Sequence, residues 1–156
     1  MTSDAQYDDL RFTPSEVDHD YGENVHIQQD AMALSLLARL CSPEVGQPTF
    51  NRLLSDLYQR LLWNVVNAEF PRTHASIPSR MNEGNEEGVY RGEIIAPDTS
   101  VVTVDVARAG MVPSNVCFER LTDLLEPKGV RQDHLFMSRQ TDEQGNVTGA
   151  KLSGDK

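Results

Sequence analysis

Apolar residues recur every three or four positions between 50 and 68. Phe50, Leu53, Leu54, Leu57, Leu61, Val65 and Ala68 share a stripe, while Arg52, Asp56, Gln59 and Arg60 fall on other faces. The spacing predicts a helix of about six turns, with Pro48 in its first turn and Phe70-Pro71 closing it. Leu57 is expected on its buried face, and Tyr58 and Trp63 widen the apolar surface enough for packing on more than one neighbour. A shorter helix is predicted over Ala31–Leu40, where Ala, Leu and Met dominate. Asp30 is its expected N-cap, and Cys41-Ser42-Pro43 stops it, since the residue before a proline is pushed out of the helical region. A third helix follows from Val116, Cys117, Phe118, Leu121, Leu124 and Leu125. It should span Ser114–Glu126 and end at Pro127-Lys128-Gly129.

The pattern changes period at 101–106, Val-Val-Thr-Val-Asp-Val, where five of six residues are β-branched. Such a run reads as a central strand covered on both faces. It breaks at Arg108-Ala109-Gly110 into the third helix, and Leu135–Ser138 supplies the next strand. Together they predict a parallel, right-handed βαβ unit. Upstream, the extended segment Arg72–Arg80, the Gly- and Asn-rich turn 81–88 and the strand Val89–Ile95 predict a two-stranded excursion. Downstream, Gln140–Asn146 is a polar loop and Val147–Leu152 its return strand. The expected fold is α/β, with N-terminal helices ahead of an incomplete parallel sheet. In open sheets of this kind ligands bind at the carboxyl ends of the strands, which places the first half of a site at Arg108–Met111.

Composition narrows the picture. The 156 residues suit one domain, and the net charge of −10 argues against a general nucleic-acid or membrane-surface binder. The first thirty residues carry eight acids against a single base, Arg11. Residues 1–22 are therefore expected as an acidic, mobile arm, with 23–156 forming the domain. No apolar run reaches membrane-spanning length, and the N-terminus has no signal-peptide pattern. Cys41 and Cys117, far apart and without neighbouring ligands, read as reduced thiols of a cytoplasmic protein.

Three ordered passages resemble the uracil phosphoribosyltransferase family of the type I phosphoribosyltransferase fold. Leu37-Ala38-Arg39-Leu40 followed by Phe50–Leu57 resembles that family's first helix pair. Val104–Met111, containing Arg108-Ala109-Gly110, resembles its "VPILRAGLGM" strand and turn. Leu135–Glu143 resembles its "VGMYRDEET" strand. The family's proline before the first turn is Asp105 here, its tyrosine before the second arginine is Ser138, and Val112-Pro113 replaces a glycine. Its phosphate loop and base-reading segment have no counterpart, so the chain reads as the N-terminal part of such an enzyme, inactive by itself. The resemblance implies transfer of ribose 5-phosphate from phosphoribosyl pyrophosphate to uracil, giving UMP and pyrophosphate. It also implies magnesium as cofactor and a homodimer or larger homo-oligomer. Arg108, Ala109, Gly110 and Arg139 are the implied substrate-binding residues. A non-catalytic homologue that kept the scaffold for binding or regulation is the alternative.

Each candidate has a plainer reading. Arg108 is either a pyrophosphate contact or the partner of Asp105 or of the acidic arm. Arg139, expected at the end of its strand, either reaches the same crevice or is a solvated charge. Gly110 serves a positive φ or a close backbone approach. Thr148-Gly149 is a substitute phosphate loop or a hairpin turn. Asp142-Glu143 suggests magnesium ligands or solvated acids, and His134 is a base or a partly buried structural residue.

Overall fold

A computed structural model of the protein describes residues 10–85 and 87–153. Helix α1 (Ala31–Leu40) starts as its sequence dictates: the Asp30 carboxylate accepts the backbone N–H groups of Met32 and Ala33. Helix α2 (Thr49–Glu69) follows the cis Gln47–Pro48 peptide and stops at Phe70. Arg60 of α2 reaches back to pair with Asp30, tying the two helices together. That guanidinium, helped by the two cap N–H groups, holds the Asp30 carboxyl below the usual carboxylate range.

The buried residues of α2 are Leu53 and Val66, whereas Leu57 is only half-buried. The sequence stripe had centred on Leu57. The helix instead packs against α1 on one side and against the third helix on another, so burial falls at two places around its circumference.

Strand β1 (Arg72–Pro78) pairs antiparallel with β2 (Val89–Ile95), from Arg72 opposite Ile95 to Pro78 opposite Val89. This is the expected excursion, and it forms a separate two-stranded sheet. The chain ahead of α1 is attached to it: Leu10 N–H donates to Glu93 (2.9 Å), and Arg72 bonds the Leu10 carbonyl. Further along, Val17 N–H donates to Ile27 O and Gln29 N–H to Ser15 O, while His26 pairs with Glu16 at 3.0 Å. Of the acidic arm expected over 1–22, residues 1–9 lie outside the described residues. Residues 10–22 run against the body through these bonds.

The second sheet comprises β3 (Val101–Ala107), β4 (Val130–Thr141) and β5 (Val147–Leu152), in the order β3-β4-β5. Helix α3 (Met111–Leu124) and a 3-10 turn, Pro127–Gly129, connect β3 to β4, which pair in parallel from Val101 opposite Val130 to Ala107 opposite Phe136. Val66, Leu121, Leu125 and Val130 form the buried core beneath α3, with Val101, Phe118 and Ile95 against it.

The second sheet departs from expectation in three respects. Strand β3 is an edge strand; the central one is β4. Nor is β3 covered on both faces: Val102, Val104 and Val106 are exposed, and only Asp105 is buried. And β4 runs well beyond Leu135–Ser138, because its first half pairs with β3 and its second half, Met137–Thr141, pairs antiparallel with β5. The polar residues Arg131, Gln132, Asp133 and His134 hid that first half from a hydrophobic criterion. Helix α3 also begins at Met111, three residues before the expected start at Ser114.

Candidate anion-binding corner

The corner between β3 and α3 is built on a close approach. The Ala107–Arg108 peptide is cis, and Gly110 N–H donates to Val106 O, folding the chain back on the strand end. A Cβ added to Gly110 would stand 2.8 Å from Asp105 Cβ and 3.1 Å from Val106 O. Gly110 has φ −76°, so proximity rather than a left-handed backbone requires glycine here. Helix α3 then starts at Met111, directing the positive end of its dipole at the corner.

This corner lines an open cleft of about 610 Å³, together with Tyr58 of α2 and Pro113, Ser114 and Cys117 of α3. Arg108 and Ala109 are exposed and Gly110 is half-buried. One of the two alternative partners expected for Arg108 is otherwise engaged: the Asp105 carboxylate receives His134 Nδ1 at 2.7 Å. Among the described residues Arg108 makes no ion pair or side-chain hydrogen bond, which leaves its guanidinium for a solute. Burial pushes the Cys117 thiol pKa up, which disfavours its thiolate.

Arg139 is not brought to this cleft. It lies inside β4, opposite Ala150 of β5, rather than at a strand end. It stands three residues beyond Phe136, the partner of Ala107, which at about 3.3 Å per residue is roughly 10 Å further along the strand. Thr148 and Gly149 belong to β5, with Thr148 Oγ1 donating to Gln140 O, so they form the hairpin and not a phosphate loop. Asp142 closes the β4–β5 turn by accepting from the Asn146 side chain and from the N–H groups of Asn146 and Gln144. Those bonds, the Asn146 side chain first, hold its carboxyl below the usual range.

The corner does not fit a magnesium ion by itself. Its one carboxylate, Asp105, is buried and committed to His134. Among the described residues no three His, Cys, Asp or Glu side chains cluster as metal ligands would.

Sequence reasoning missed the Asp105–His134 pair and the part played by Tyr58. An acid inside a β-branched run was the available signal for the first. Its partner depends on strand register, which the pattern of residues does not carry.

The architecture is similar to that of the AQ2163 protein from Aquifex aeolicus, with a TM-score of 0.51 and 10% sequence identity over 80% of this chain and 51% of that one. The chain thus spans about half the length of that protein, and at this identity the likeness is one of fold. No family model matches the chain, and no curated protein matches its sequence. Among the described residues no helix is long and apolar enough to cross a membrane.

Proposed function

We propose that the chain carries the pyrophosphate-binding corner of a type I phosphoribosyltransferase-like domain. The whole enzyme would transfer ribose 5-phosphate from phosphoribosyl pyrophosphate to uracil, releasing pyrophosphate. The observation that carries this reading is the uncommitted Arg108 guanidinium on a strand-to-helix turn, at the mouth of a cleft large enough for a small ligand. In such a transfer positive charge develops on the sugar while pyrophosphate departs as an anion. A planar guanidinium fork, backed by a helix N-terminus, stabilises that departing charge. Arg139, about 10 Å further along β4, has a secondary part, met only by the far end of an extended, multiply charged ligand.

Magnesium, which such chemistry commonly recruits through the ligand's own phosphates, finds no carboxylate to spare at this corner. Asp105 also stands where the uracil phosphoribosyltransferase pattern has proline, and this favours a second reading, a homologue that binds phosphoribosyl compounds without turning them over.

The test is equilibrium binding of pyrophosphate and of phosphoribosyl pyrophosphate to the purified chain. Arg108→Ala is expected to weaken both by roughly ten- to a hundredfold, and Arg108→Lys to recover little of the loss, because a point charge does not reproduce the fork. Arg139→Ala should cost less than Arg108→Ala. Absence of binding, or binding indifferent to Arg108, removes the corner from the site.

A further inference from the structure

A polar layer runs beneath α3 where an apolar one would serve packing better. Thr103 and Asp105 of β3, Ser114 of α3, and Gln132 and His134 of β4 meet there. Ser114 Oγ lies 3.3 Å from Thr103 Oγ1, and Gln132 Nε2 donates to Ser114 Oγ at 3.1 Å. At the end of this layer the Asp105 side chain is 4% exposed and its Oδ2 receives His134 Nδ1, while the His134 side chain remains 33% exposed. The other carboxylate oxygen, Oδ1, is buried without a partner. Burying a carboxylate with one oxygen unpartnered is expensive. A buried polar atom left without a partner calls for a reason beyond packing, such as a part in chemistry.

The hydrogen bond also fixes the histidine. With Asp105 accepting from Nδ1–H, the neutral imidazole leaves Nε2 as an acceptor, and among the described residues Nε2 has no partner. His134 lines a second cavity of about 420 Å³, on the other side of α3 from the Arg108 cleft, with Gln132, Asn115, Glu119, Ser55 and Met111. Part of the donor capacity around it is already used. Gln132 Nε2 is given to Ser114, Asn115 Nδ2 to Glu119 at 2.9 Å, and Ser55 Oγ to Asn51 O. Each carboxamide keeps one N–H, but among the lining side chains acceptors outnumber them: the two carboxamide oxygens, the Glu119 carboxylate and His134 Nε2.

We propose that this cavity binds a small N–H acid, a donor-rich nitrogen heterocycle or amine, and that His134 is its general base. In the step, a ligand N–H bond breaks and its proton passes to His134 Nε2. The electron pair stays on the ligand nitrogen, and Asp105 holds the resulting imidazolium in place. Asp105 is the positioning residue; Glu119 is the one other charged side chain lining the cavity and adds to its preference for a donor ligand. The cavity opens on the other side of α3 from the Arg108 cleft; Asp105 lines that cleft and pairs with His134 of this cavity, but the ligand proposed here does not rest on the pyrophosphate reading.

The test uses 2-aminoimidazole, a compact probe whose cation offers only donors, with calorimetry for affinity and long-range 15N spectra for the histidine. In the free protein, His134 should show Nδ1–H and an unprotonated Nε2. On binding, the Nε2 resonance should move toward the imidazolium position, as a ring nitrogen does when it accepts a ligand N–H. His134→Gln, at a partly exposed position that tolerates the change, should weaken binding at least tenfold. Asp105→Asn keeps the shape but can donate to Nδ1, so it should shift the proton to Nε2 and lose binding to a similar degree. A purely structural pair would leave affinity unchanged in both folded variants. That result, or no binding to the wild-type chain, or binding without movement of the Nε2 resonance, overturns the proposal. Pyrophosphate binding measured on the same samples reports on Arg108 and is expected to be unaffected by His134→Gln.

Discussion

The two faces of the β3–β4 sheet differ more than their sequences do. On one face, Val101 and Val130 lie under α3 against Leu121, which is 2% exposed. On the other, Val102, Val104 and Val106 of β3 stand beside Leu135 and Met137 of β4 with nothing over them among the described residues, and Val104 is 56% exposed. Valine occupies both sides, so residue type alone would rank them equal. What separates them is whether a helix lies across the face, and α3 crosses only one. The same asymmetry governs polar residues. Asp105, Ser114 and Gln132 sit on the covered side, where each must be paired, whereas Arg131 and Asp133 meet each other at 2.8 Å on strand β4 with much of their side chains in solvent.

The strongest way to break this contrast is to compare its two sides directly. Leu121→Ala is expected to cost about 2–5 kcal/mol in urea unfolding, from lost burial and the cavity left behind. A loss below about 1 kcal/mol would mean that α3 is not clamped to the sheet as described. Next in size is Gly110→Ala. Its methyl group would meet the Asp105 Cβ and the Val106 backbone, none of which is the far end of a flexible side chain. About 1–3 kcal/mol should be lost, together with the pyrophosphate affinity of the corner. An unchanged denaturation midpoint would show that the corner has room for a methyl group.

Val104→Thr probes the open face. It alters polarity without shape where water already reaches, and a change within about 0.5 kcal/mol is expected. A large destabilisation would reveal that something covers this face in solution. The smallest effect is electrostatic and sits away from both faces. Asn caps a helix nearly as well as Asp, so Asp30→Asn isolates the charge that faces Arg60. The Asp30 carboxyl has its pKa depressed in the folded state, from a reference of 3.8. Its charge therefore stabilises the fold above that reference, and the contribution fades as pH falls through the lower, folded value. The thermal midpoint of Asp30→Asn should lie slightly below wild type near pH 7, and the two should converge in acid. A gap that persists at low pH would assign the effect to something other than the Asp30 charge.

Local chemistry made much of this chain legible before any fold was known. Asp30 and Pro43 bracket α1 because capping and proline geometry act within a few residues. The α2 periodicity, the Pro71 stop, the Gly-rich turn before β2, the strand-turn-helix at Val101–Met111 and the β5 return strand are all written in neighbouring positions. The candidate arginine at that turn, and the need for a glycine beside it, were likewise visible. Tertiary structure alone decided the rest. Leu57 yielded the core to Leu53 and Val66 because the directions of α1 and α3, not the helix's own stripe, determine which sides of α2 are covered. Arg139 stands away from Arg108 because β4 continues past the parallel pairing into a hairpin with β5. Asp105 and His134 are twenty-nine positions apart and meet only because parallel pairing of β3 with β4 sets them side by side. A one-residue slip would turn either to the opposite face. Register and coverage are relations between distant segments, and a sequence read one neighbourhood at a time does not contain them.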